Sequence, residues 1–97
     1  VPVEEIQQGI KHGVRKVNID TDLRLASTAS IRKFLADNPA EFDPRKYLAI
    51  SQKAMKDVVI ARYEAFGTSG NADKIQAKSL ESMFIQYAAG ELAPMIA

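Results

Sequence analysis

The run Gly13-Val14-Arg15-Lys16-Val17-Asn18-Ile19-Asp20-Thr21-Asp22-Leu23 constrains the fold of this chain more than any other stretch. From Val14 to Asp20 the pattern repeats every second residue, with Val17 and Ile19 on one face and Lys16, Asn18 and Asp20 on the other. That alternation predicts a strand with one polar face. Helical patterns flank it on both sides. A lone strand leaves both backbone edges unpaired, and a strand between helices belongs to a parallel sheet whose other strands come from further βα units. The expectation is therefore an α/β fold of which this chain is a piece. Burial on both faces is excluded, because Lys16, Asn18 and Asp20 would each need a partner. In a βα barrel the polar face looks into the barrel mouth while Val17 and Ile19 pack outward under the helices. An all-α protein of four or five helices, with residues 14–20 as an irregular connector, stays open as the alternative.

The rest of the chain reads as helices. Residues 1–13 hold a short helix with Pro2 at its start, Glu4 and Glu5 at the positive end of the dipole, and Val3, Ile6 and Ile10 at helical spacing. Gly13 supplies its stop. A second helix spans residues 21–38, capped by Thr21 or Asp22, with Leu23, Ile31, Phe34 and Leu35 as its apolar side and Asn38-Pro39 as its end. Asp43-Pro44 starts the long helix of residues 43–67, whose stripe of Tyr47, Ile50, Ala54, Val58, Ala61 and Ala65 steps by three and four until Gly67. Residues 68–97 hold a small polar loop, an ambiguous stretch at Lys74–Lys78, and a terminal helix from Ser79 to Gly90. A tail with Pro94 follows, carrying no readable signal. All of this is one segment of one domain.

Composition narrows the function classes. With 13 basic and 12 acidic residues and no basic block, the electrostatic footprint of a nucleic-acid binder is missing. No apolar stretch approaches the roughly 20 residues of a membrane span. The chain has no cysteine, which excludes a disulfide framework, a thiolate nucleophile and cysteine-held metal, and fits a reducing cytoplasm. Its one histidine, His12, allows neither a His-His metal site nor a Ser-His-Asp triad. The opening Val1-Pro2-Val3, without an initiator methionine, reads as a cut.

Candidate binding groups remain. Asn18, Asp20 and Thr21 gather where the strand meets the next helix, a junction with unpaired backbone N–H groups and a positive dipole end that suits phosphate. Asp20 repels phosphate as a charge and is better placed to accept from a sugar hydroxyl, while the Thr21 amide and hydroxyl donate. Plain helix capping explains the same residues. Arg24 follows close by, and Arg45 sits at the start of the long helix, where a cation opposes the dipole. Arg45 suits phosphate through its planar fork. A surface salt bridge is the alternative. Asp43 is explained by its capping position.

The strand motif, together with Glu41-Phe42-Asp43-Pro44-Arg45-Lys46-Tyr47, resembles the carboxy-terminal part of class II, zinc-dependent fructose-1,6-bisphosphate aldolases. The resemblance extends over Val1-Pro2-Val3-Glu4-Glu5-Ile6, Ala61-Arg62-Tyr63-Glu64-Ala65-Phe66-Gly67 and Tyr87-Ala88-Ala89-Gly90-Glu91-Leu92. It implies a (β/α)₈ TIM barrel, with residues 14–20 as its last strand. It also implies a cytoplasmic lyase of glycolysis and gluconeogenesis, a dimer or tetramer. Such an enzyme reversibly cleaves fructose 1,6-bisphosphate to dihydroxyacetone phosphate and glyceraldehyde 3-phosphate, with zinc stabilising the enediolate.

Under the resemblance, the zinc ligands, the acid/base aspartate and a glycine-serine phosphate loop belong upstream of Val1, so this segment holds neither catalytic residues nor metal ligands. Alone it is expected to be inactive, and its first partner is the upstream portion of the same protein. Asn18 would bond the dihydroxyacetone portion, and Asp20 and Thr21 its hydroxyl and phosphate end. Arg24, with Asp43, resembles the recognition of fructose over tagatose. Arg45 resembles an arginine that reaches the neighbouring subunit's site to bind the second phosphate, and Lys16 matches a family lysine. Tagatose-bisphosphate aldolase shares the motif. The rival from another class is a small helical interaction module without catalysis.

Overall fold

The computed structural model describes residues 1–91; the tail with Pro94 lies outside the described residues. Among the described residues there are four α-helices: α1 (Val3–Lys11), α2 (Thr21–Asp37), α3 (Pro44–Ala65) and α4 (Leu80–Ala88), with a 3₁₀ turn at Ala72–Lys74 that meets the ambiguous stretch Lys74–Lys78 only at Lys74. Their ends follow local chemistry. Asp43 accepts from the Arg45 amide at 3.0 Å, with Pro44 as the first residue of α3. Ser79 accepts from the Ser82 amide at 3.1 Å and starts α4. Gly13 (φ 109°) and Gly67 (φ 75°) turn the chain off the ends of α1 and α3 through the left-handed region. At Gly67 the Thr68 amide reaches the Tyr63 carbonyl at 2.9 Å and the Gly67 amide reaches Glu64 at 3.2 Å, the paired bonds of a Schellman closure.

α2 and α3 pack as an antiparallel hairpin. Near its middle the Ser27 and Ser51 hydroxyls meet at 2.6 Å, and at its open end Arg62 meets Asp22 at 2.8 Å. α1 rests on the end of α3, where the Gln7 side-chain amide donates to the Ala65 carbonyl at 3.0 Å. Residues 14–20 cross between them. Val17 and Ile19 are half-buried over Leu23, Val58 and Tyr63, while Lys16, Asn18 and Asp20 are exposed. The two-faced pattern is thus present, but the expected strand is not: among the described residues no ladder forms. A ladder needs a second segment to exchange N–H···O=C bonds with, and the described chain offers none.

No hydrophobic side chain among the described residues is fully buried; only Ser51 is, at 5% exposure. The accessible surface is 8404 Å², against roughly 5,500 Å² for a compact monomer of this mass. The radius of gyration is 19.6 Å, against about 12.5 Å for a compact domain of this length. α4 packs on none of the other helices and exposes Leu80, Phe84, Ile85 and Tyr87. With 46% hydrophobic residues and no interior, these faces are surfaces made to be covered.

Candidate substrate-binding site

At the open end of the hairpin, Asp20 occupies the N-cap position of α2 with φ −135° and ψ −57°, and its carbonyl accepts the first helical bond, from Arg24 at 3.0 Å. Its side chain makes no capping bond. The carboxylate instead accepts from Arg24 Nε at 3.0 Å, an exposed pair one turn apart. The expectation that Thr21 or Asp22 caps α2 is corrected: both lie inside the helix, and Asp22 accepts from Arg62 instead. The first amides of α2 therefore have no side-chain cap, which keeps the positive end of its dipole open to an anion.

Asn18, Asp20, Thr21 and Asp22 line one hollow of about 460 Å³, with Ile6 and Arg62. Lys16 stands apart from them. It lines the neighbouring hollow of about 520 Å³, an apolar groove formed by Ile10, Val14, Val17, Tyr63 and Phe66. Arg24 borders a shallow cleft with Asp20 and Ser27.

Asp43 and Arg45 lie at the other end of the hairpin. The guanidinium forks onto the carboxylate, with Nη2 at 2.8 Å from Oδ2 and Nε at 3.1 Å from Oδ1. Arg45 is 90% exposed. The Arg45 side chain, helped by its amide, holds the Asp43 carboxyl below its usual value, and the same pairing raises Arg45. Glu41 is likewise lowered, first by the Asp43 amide, which donates at 3.2 Å, and then by Lys46 at 3.2 Å. Ser27 and Ser51 mark a common level of the two helices, with Thr21 six residues before Ser27 and Arg45 six before Ser51, so at about 1.5 Å per residue the two clusters stand roughly 18 Å apart along the hairpin.

Arg62 and Asp22 are the pair that sequence reasoning missed, as Asp22 was read only as a cap. A signal existed. Arg62 follows Val58 by four residues and so continues the apolar stripe of α3 with a charge, which calls for a partner.

A sequence model described as fructose-bisphosphate aldolase class-II matches residues 1–71, the stretch that holds both clusters. The chain belongs to the class-II fructose-bisphosphate aldolase family. It is 72% identical over 96 residues to the fructose-bisphosphate aldolase of Stutzerimonas stutzeri, covering 99% of this chain and 27% of that protein. The Pseudomonas aeruginosa aldolase is 70% identical with the same coverage. Fructose-bisphosphate aldolase 2 of Rhodobacter capsulatus is 55% identical over 94 residues, 97% of this chain and 82% of that one. This aldolase segment thus spans about a quarter of the length of the first two relatives. Among the described residues, no group of three or more His, Cys, Asp or Glu side chains is arranged to hold a metal ion. These residues therefore do not fit the zinc that class II implies.

Proposed function

We propose that this chain is the carboxy-terminal, substrate-binding part of a cytoplasmic fructose-1,6-bisphosphate aldolase, a lyase that works as a dimer or tetramer and holds its zinc on residues outside this segment. In the cleavage direction the bond between the third and fourth sugar carbons breaks. Its electron pair stays with the dihydroxyacetone phosphate part as the enediolate. The proton of the fourth-carbon hydroxyl leaves to a base outside this segment, releasing glyceraldehyde 3-phosphate.

The residues here bind and orient. The Asn18 amide bonds oxygens next to the reacting carbons, Asp20 accepts from a hydroxyl, and the Thr21 amide and hydroxyl donate to one phosphate at the start of α2. Arg24, steered by Asp20, distinguishes fructose from tagatose, whereas Asp43 lies at the far end of the hairpin and holds Arg45 instead. Lys16 adds a positive charge beside the groove. Arg45 takes the second phosphate with its planar fork.

What supports this reading is the placement of the two clusters at opposite ends of the hairpin, roughly 18 Å apart along it. A six-carbon bisphosphate is shorter, and Arg45 is forked onto Asp43 at the far end, so one molecule does not touch Thr21 and Arg45 of the same chain. Arg45 then serves the site of a neighbouring subunit, and each site is built from two chains.

Mixing variants of the intact enzyme tests this. Thr21→Ala and Arg45→Ala each raise KM for the bisphosphate when assayed alone. Unfolded and refolded together, random pairing makes half of the dimers mixed, each with one undamaged site, so about a quarter of wild-type activity returns at low substrate. Activity no higher than the mean of the two separate variants would rule out a shared site.

A further inference from the structure

Two carboxylates, Asp20 and Asp22, stand at the start of α2, where the substrate phosphate is read to bind. Uncompensated, they would repel a phosphate dianion at close range. Each has a guanidinium: Arg24 at 3.0 Å from Asp20, and Arg62 at 2.8 Å from Asp22. The two pairs differ in kind. Asp20 and Arg24 are neighbours on α2, and both are well exposed. Arg62 comes from the last turn of α3, forty positions along the chain, and is only 21% exposed. It lines the hollow that holds Asn18, Asp20 and Thr21 and also the apolar groove on the other flank of residues 14–20.

We propose that Arg62 is a positioning residue for the phosphate seat, which cancels the charge of Asp22 and ties the first turn of α2 to α3. The proposal rests on the reading of Asn18, Asp20 and Thr21 as substrate-binding residues. Screening by water is weaker for this pair, with Arg62 at 21% and Asp22 at 47% exposure, than for Asp20 and Arg24, so loss of Arg62 leaves a carboxylate whose charge is felt at the seat.

The test uses the intact aldolase, with kcat and KM measured for fructose 1,6-bisphosphate. Arg62→Met raises KM roughly tenfold, the mid-range for coupling between contacting residues, with kcat little changed. Arg62→Lys, which keeps the charge, recovers most of the loss. Asp22→Asn added to Arg62→Met also recovers most of it, because the uncompensated charge is gone. A purely structural Arg62 would lower thermal stability without moving KM, and that result would overturn the proposal; so would an Arg62→Met defect that Asp22→Asn leaves in place. If Arg62→Met does not fold, Arg62→Gln and Arg62→Gln/Asp22→Asn carry the decision: a KM raised in the single variant and restored in the double supports charge compensation, and equal KM values in the two refute it. Thr21→Ala separates the two readings. An unchanged KM there removes the phosphate seat itself, whereas a raised KM beside a normal Arg62→Met removes only the role of Arg62.

Discussion

Side chains near the tip of the hairpin make their charge dependence testable. Arg45 holds the Asp43 carboxyl low, so Asp43 contributes stability above its unfolded value, near pH 4, and loses it as pH falls through the lower folded value. Asparagine caps helices as well as aspartate does, so Asp43→Asn removes the charge and keeps the cap. The thermal midpoint of intact wild-type enzyme should exceed that of Asp43→Asn at pH 7, with the gap closing below about pH 4. A gap that does not vary with pH would mean the Arg45 pair contributes nothing. Because Arg45 is 90% exposed, added salt should shrink the gap as well. At the other end, Asp20 shows how one residue type serves two ends: its position at the α2 start was legible, whereas its choice of Arg24 over a backbone amide was not.

Helices α2 and α3 meet through small polar groups as well as apolar ones. Ser51 is buried and shares its hydroxyl with Ser27 at 2.6 Å. Removing one partner strands the other, whereas removing both leaves an apolar contact. Ser51→Ala in the intact enzyme should therefore cost about 1 kcal/mol in chemical denaturation, and Ser27→Ala/Ser51→Ala less than the single change. A double variant with the summed loss of both singles would show that the hydroxyls act independently. Apart from the start of α2, the helix ends were readable. Asp43-Pro44, Ser79 and the glycines at 13 and 67 act through bonds to residues within five positions, so the sequence around each carries the full instruction. The strand-like run was readable only in part, since its alternation survives while its ladder needs chain that the described residues lack.

As a whole, the described chain has helices without an interior. Its excess surface and long radius of gyration leave the apolar sides of α2, α3 and α4 with little to pack on. Isolated, the 97-residue polypeptide should show helical circular dichroism with a broad, poorly cooperative thermal transition, because burial of apolar surface supplies most of the cooperativity of folding. A sharp two-state transition in a monomer would contradict this. In the aldolase proposed above, the same faces would be covered by the remainder of the protein.

The order of helices, their ends and the two faces of residues 14–20 were set by neighbours in sequence, through capping, glycine conformation and periodicity. Two facts needed the folded chain. Asp22 finds Arg62 across forty residues, and Asp43 and Arg45 stand at the opposite end of the hairpin from Thr21. The physical reason is the same for both: periodicity says which face a residue occupies, but pairing and distance depend on how α2 and α3 lie against each other, which no local rule contains.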